Sequence, residues 1–188
     1  MFILASASPR RKQLLAQAGF TPDTILAADI DETPKKDELP LAYVKRMAEE
    51  KAAAISKSHA NDVVLAADTV VACGRRILPK AEDEKTARKC LELLSGKRHR
   101  VYTAVCIRRG DKQSLKTVMT HVAMKRLSKQ DIDAYIQSNE WNGKAGGYAI
   151  QGKAEAFIPS INGSYSNVVG LPLAESSTML AQFGISPQ

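Results

Sequence analysis

The sequence predicts a mixed α/β fold, on three observations. Short apolar runs rich in β-branched residues alternate with helical apolar stripes from one end of the chain to the other. No Gly/Ser linker, composition shift or internal repeat divides the 188 residues, so one domain over 1–188 is expected. Hydrophobic residues at 44% and charged residues at 25% are globular proportions, which exclude a disordered tail, a collagen-like repeat and a low-complexity scaffold.

Phe2 to Ala5 has the length and composition of a buried strand and stops at Ser6-Ala7-Ser8-Pro9. A helix follows: Ser8 suits the N-cap and Pro9 the first helical position, Leu14, Leu15 and Ala18 give the buried stripe, and Gly19 is the stop. Residues 25–28 form a second short apolar run, leading into Asp29-Ile30-Asp31-Glu32 and a polar loop that ends at Pro40. A longer helix is expected over about 41–58, with Val44, Met47, Ala48 and Ile55 as its stripe. Lys51 falls on that stripe and points inward. Val63 to Val71 reads as a strand covered on both faces, interrupted by Asp68 and Thr69, after which Cys73-Gly74-Arg75-Arg76 turns the chain back through Ile77-Leu78.

Asp83 caps a helix bearing Ala87, Cys90, Leu91 and Leu94 and stopped by Gly96, and residues 99–109 and 115–124 pair as strands around Arg109-Gly110-Asp111-Lys112. Ser128 and Asp131 resemble a capping box opening a helix to about Ser138, and Pro172 opens a last helix ended by Gly184. Residues 143–152 hold four glycines, too many for an element interior and suited to close approach of backbone to a ligand.

The 27 Lys and Arg against 20 Asp and Glu leave a net charge of +7, which implies an anionic partner; a nucleotide, a polyphosphate and a nucleic acid all satisfy it. Cys73, Cys90 and Cys106 match neither a C-x-x-C pair nor zinc-ligand spacing and read as reduced thiols. With no basic segment ahead of the first apolar run and no apolar stretch near ~18 residues, a cytoplasmic protein without signal peptide or membrane span is expected.

Four groups of residues carry candidate chemistry. Arg10, Arg11 and Lys12 crowd the first turn of a helix, where the macrodipole already disfavours cations. With the free N–H groups of that turn and the hydroxyls of Ser6 and Ser8, they form an anion site suited to a phosphate chain. Asp68, in a strand that would bury it, needs a partner: a divalent metal, a lysine or a catalytic water, with Lys51 able to supply a positive charge. Asp29, Asp31 and Glu32 have the oxygen chemistry of a Mg²⁺ or Mn²⁺ site, although a solvated acidic loop has the same composition. Gly147 to Ala154 nearly matches a phosphate-binding loop but has alanine where the metal-binding hydroxyl belongs, and Ala-Glu-Ala-Phe-Ile-Pro after Lys153 cannot supply the required helix N-terminus, so that reading is rejected. His59, His99 and His121 have neither zinc spacing nor an accompanying G-x-S-x-G.

Leu4-Ala5-Ser6-Ala7-Ser8-Pro9-Arg10-Arg11, Ala67-Asp68-Thr69-Val70-Val71, Leu94-Ser95-Gly96 with His99 to Thr103, and Ile161 to Pro172 together resemble the Maf family of septum-formation-inhibitor-like proteins, over nearly the whole chain. The resemblance implies two lobes around a deep cleft, an architecture related to inosine-triphosphate pyrophosphatases, and a homodimer. It also implies hydrolysis of a nucleoside triphosphate between the α and β phosphates with a divalent cation. By position, the proton acceptor falls on Asp68, the phosphate and metal shell on Ser8, Arg11, Glu32, Lys51 and Lys80, and the specificity positions on Arg10, Thr69 and Gln151. Arg10 and Gln151 resemble the branch acting on dTTP and UTP; the methyl-GTP branch has tryptophan and glutamate there. After the hairpin the family's Gly-Lys-Pro is replaced by Leu78-Pro79-Lys80-Ala81.

The rival class is a basic nucleotide- or nucleic-acid-binding regulator of division without catalysis. Ten aromatics in the whole chain, no stacking motif, and carboxylates near the expected cleft weigh against nucleic acid.

Overall fold

A computed structural model describes residues 1–188. Its centre is a seven-stranded mixed sheet. Strand β1 (Phe2–Ala5) lies parallel to both β2 (Thr24–Ile25) and β3 (Val63–Cys73), and β3 then pairs antiparallel with β6 (Arg98–Arg109). The long hairpin β6–β7 (Lys112–Ala123) continues the sheet to β9 (Ser160–Asn162), and β4 (Arg76–Leu78) folds back on the end of β3. A separate two-stranded piece joins β5 (Lys80–Ala81) to β8 (Lys144–Ala145).

Side chains alternate between two covered faces along β3 and β6, and this sets the layers. Val64, Ala66, Val70, Ala104 and Cys106 face one way and pack on Val44, Met47, Ala48 and Ala52 of helix α2 (Pro40–Ser56). The alternate residues, among them Leu65, Ala67, Val101 and Val105, face α1 (Pro9–Gln17) and α6 (Leu173–Gln182). That second core runs on without a break into the smaller lobe, through Leu91 and Leu94 of α3 (Glu84–Leu94) and Ile132 and Tyr135 of α4 (Lys129–Gln137). No helix is long and apolar enough to cross a membrane, and Cys73, Cys90 and Cys106 are all free thiols.

Most local expectations hold. Asp83 accepts the Thr86 N–H, Ser128 and Asp131 cap each other's backbone, and Gly19, Gly96 and Gly184 take positive φ after their helices. Four details differ. Ser8 occupies the N-cap position of α1 but its hydroxyl makes no capping bond; the local turn is closed instead by the Ser8 N–H donating to Ser6 Oγ at 3.2 Å. The 25–28 run keeps only Thr24–Ile25 in the sheet, because after Leu26 donates to the Leu4 carbonyl the chain leaves the sheet and Ala27 and Ala28 line a cleft. The glycines at 146 and 147 approach protein rather than a ligand: added Cβ atoms there would meet Val71 at 2.9 Å and Ala87 at 3.2 Å. Beyond Gly152 a short 3₁₀ helix (Lys153–Phe157) does form, but the Glu140 carboxylate already accepts the Lys153 N–H at its start, where a phosphate loop would hold its ligand.

Candidate active site

The sheet opens where the chemistry lies. On one edge of β3, pairing with β1 ends at Ala66 and pairing with β4 begins only at Val71. The intervening edge, Ala67 to Val70, has no strand beside it, and β1 ends at the same level, delivering Ser6 to Arg11 to that opening. A cleft of about 420 Å³ occupies the space. Ser8, Arg10, Arg11, Glu32, Lys51, Asp68, Thr69, Lys80 and Gln151 all line it.

Adjacent residues of β3 serve opposite faces. Asp68 points to the α2 side, where Lys51 Nζ meets Asp68 Oδ1 at 2.7 Å and Glu32 Oε1 at 2.8 Å. Asp68 is 5% and Lys51 8% exposed, so neither charge is left in the low-dielectric interior unpaired. Lys80 reaches across from β5 to Glu32 Oε2 at 3.0 Å, and Tyr43 of α2 holds the same loop by donating its hydroxyl to the Glu32 carbonyl. Burial pushes the Glu32 carboxyl up, but hydrogen bonds from Lys51 and Lys80 overcome it and bring the pKa down to about 2. The two carboxylates and two lysines balance in charge.

Thr69 points to the other face and meets Thr103, its register partner on β6, at 2.9 Å. The Arg11 guanidinium is spread over three acceptors: Nε donates to the Gly170 carbonyl at 2.9 Å, Nη1 to Ser6 Oγ at 3.0 Å and Nη2 to Thr69 Oγ1 at 3.2 Å. Arg10 Nε donates to the Val169 carbonyl at 3.3 Å. Burial lowers the pKa of both arginines, with Asp68 the main opposing influence on Arg11. Neither arginine has a carboxylate partner. The Lys12 N–H is the first in α1 to bond back, to Ser8, which leaves the Arg10 and Arg11 amides open.

The opposite lip comes from the smaller lobe. Lys144 of β8 lines the cleft, its ammonium donating only to the Asn142 carbonyl, and burial followed by Arg10 lowers its pKa. Sequence reading missed it; its one local signal is a lysine inside the Gly-rich run. Gln151 sits exposed at the rim beside buried Tyr148 and Ile150. Of the acidic loop only Glu32 reaches the cleft: Asp31 turns to the Thr33 N–H and Asp29 stays exposed outside.

Nowhere do three or more His, Cys, Asp or Glu side chains converge as a ready metal cage. Asp68 and Glu32 nevertheless share one ammonium and supply hard carboxylate oxygens, the one-or-two-carboxylate donor set that suits a divalent cation arriving with phosphate ligands.

A cleft with balanced carboxylates on one wall and three uncompensated cations, Arg10, Arg11 and Lys144, around it is built for a polyanion. Residues 1–183 match the Maf-like protein family, and the chain belongs to it. It is 55% identical over 188 residues to the dTTP/UTP pyrophosphatase of Paramagnetospirillum magneticum, covering 100% of this chain and 99% of that one. It is 58% identical over 183 residues to the dTTP/UTP pyrophosphatase of Zymomonas mobilis, covering 97% and 91%. Among solved structures, the Staphylococcus aureus Ham1 protein aligns over 65% of this chain and 70% of its own at 16% identity with a TM-score of 0.42, too slight a likeness to bear on function.

Proposed function

We propose that the protein hydrolyses dTTP and UTP between the α and β phosphates, releasing a nucleoside monophosphate and pyrophosphate. The observation that carries this reading is the meeting, in one cleft, of Asp68 with Arg10, Arg11 and Lys144. The relatives bearing the dTTP/UTP pyrophosphatase name support the choice of nucleotide.

Lys51 holds Asp68 Oδ1, and Oδ2 has no protein partner, so that oxygen accepts the proton of a water attacking the α-phosphorus. Arg10, Arg11 and Lys144 take the β and γ phosphates and stabilise the charge that develops on departing pyrophosphate. Ser8 and the open amides of the first turn of α1 add neutral donors to the same tail. Glu32 and Asp68 would hold a Mg²⁺ or Mn²⁺ ion, which supplies charge neutralisation of the phosphate oxygens when bound. Gln151 presents an amide with one donor and one acceptor edge, matching N3–H and O4 of uracil or thymine.

The test is a panel of nucleoside triphosphates assayed with Mg²⁺ and with Mn²⁺ for the released ion. Pyrophosphate from dTTP and UTP ahead of the purine nucleotides is expected. Orthophosphate as the first product, or equal rates for all bases, overturns the reading.

A further inference from the structure

We infer that the segment Ile161 to Gly170 is a bracket that aims the two arginines, with Asn167 and Thr120 as its positioning residues. The inference rests on the proposed triphosphate reading only for its effect on turnover; the arrangement itself is geometric. Helix α5 (Tyr165–Val169) is short, and its last carbonyl and the next one are spoken for: Val169 accepts Arg10 Nε, and Gly170 accepts Arg11 Nε. An arginine held through Nε has its guanidinium plane fixed; the Arg10 Nη groups stay available to an anion, and each Arg11 Nη keeps one N–H beyond its bond to Ser6 or Thr69. So the placement of two carbonyls sets the direction of two guanidinium groups.

What places the carbonyls lies beneath them and touches no cleft surface. Asn167 is fully buried, and its Nδ2 donates to the Val101 carbonyl at 3.1 Å and to Thr120 Oγ1 at 3.0 Å. Thr120, also fully buried, accepts the Ser164 N–H at 3.0 Å and donates to the Ser164 carbonyl at 3.2 Å. Ser164 in turn caps α5 by accepting the Asn167 N–H, while the Asn167 carbonyl accepts from Thr103 Oγ1 at 3.0 Å. Gly163 crosses directly over Thr120 at φ +129°, where a Cβ would fall 2.7 Å from Oγ1. Strands β6 and β7 thus grip the start and middle of α5 on both sides. The Thr103–Thr69 contact passes the same registration to the Arg11 Nη2 partner.

Two readouts separate aiming from plain stability. The first is the exchange rate of the Arg10 and Arg11 Nε–H protons by ¹H–¹⁵N NMR of the substrate-free protein, with Arg10→Lys and Arg11→Lys identifying the signals. The second is KM and kcat across several triphosphates, with inorganic tripolyphosphate as a competing inhibitor. Thr120→Val keeps the shape and removes the hub oxygen, Thr120→Ser restores it, Asn167→Asp removes both Nδ2 donors, and Ser164→Ala lifts only the cap.

In Thr120→Val and Asn167→Asp, Nε–H protection is lost, KM rises about tenfold or more for every base alike, and tripolyphosphate inhibition weakens in parallel. Thr120→Ser stays near wild type. If Asn167→Asp or Thr120→Val does not fold, Ser164→Ala decides, with a partial loss of protection expected. Retained protection and unchanged KM in folded variants, with only the melting temperature lowered, overturns the bracket. Loss of protection in a protein whose wild type releases no pyrophosphate overturns the substrate reading and leaves the bracket standing.

Discussion

At the phosphate end of the cleft the side chains themselves are tied down: Arg10 and Arg11 to carbonyls, Lys51 between two carboxylates, Lys80 to Glu32. At the proposed base end the ties fall on the residues around Gln151 rather than on Gln151 itself. Ala149 donates its N–H to Tyr135 Oη at 3.0 Å, Tyr148 Oη meets His99 Nε2 at 2.7 Å, and the Lys153 N–H reaches Glu140 at 2.7 Å, while the Gln151 side chain between them has no protein partner. The difference teaches how one scaffold divides two tasks. Charge stabilisation gains from groups that need no reorganisation, so they are fixed. In the proposed function, base selection rests on one rim side chain over a rigid floor, so exchanging it should leave the rest of the cleft undisturbed.

The hardest break at the phosphate end is Asp68→Asn. Pyrophosphate release is expected to fall by about 10³-fold or more, with the fold retained because Lys51 keeps its Glu32 contact. Full activity in that variant would remove Asp68 from the mechanism.

Acid should separate the two ends. Burial lowers the His99 pKa from 6.5 to about 4, so the unfolded chain binds more protons between those values. Stability is then complete above about pH 6.5 and declines by up to about 3 kcal/mol as pH falls toward 4. Glu32, with its pKa lowered from 4.5 to about 2, keeps its contribution above 4.5 and loses it only below that. Denaturant unfolding across pH should therefore lose stability first between 6.5 and 4, where His99 titrates and Glu32 does not, and His99→Gln should flatten that slope. An unchanged slope in that variant would clear His99 of the effect.

Gly152→Ala tests the floor. Its Cβ would lie 2.0 Å from Glu140 Oε2, so the carboxylate must swing off the Lys153 N–H; a loss of about 1 kcal/mol is expected, no larger in the double variant with Glu140→Ala. Melting curves of the single and double variants measure it; additive losses would show that the two residues do not press on each other. The smallest change is Gln151→Glu, which should leave the melting temperature alone and shift the dTTP-to-GTP ratio of kcat/KM by about tenfold. An unmoved ratio would relieve Gln151 of base reading.

Some of this was legible from local pattern. Helical spacing put Lys51 among Val44, Met47 and Ala48, and the structure buries it there. The capping chemistry of Asp83 and of Ser128 with Asp131 is a matter of three residues and could be read directly. Lys144 was less visible, because its approach to the cleft depends on β8 pairing with β5, more than sixty residues earlier. β9 and α5 escaped the pattern because three and five residues are too few for a period to repeat.

By itself, then, the amino-acid order determined which faces are apolar, where most helices begin and stop, and which few charged residues stand out against that background. Only the tertiary structure decided that β1 stops and β4 starts with an open stretch of β3 between them, that Asp68 and Thr69 turn to opposite sides there, and that two carbonyls of the 169–170 turn meet two arginines from residues 10 and 11. Local propensity acts over a few residues, whereas the β1–β3 pairing joins Phe2 to Val63 and the arginine contacts span 159 positions, so they exist only after the sheet has brought its distant strands together.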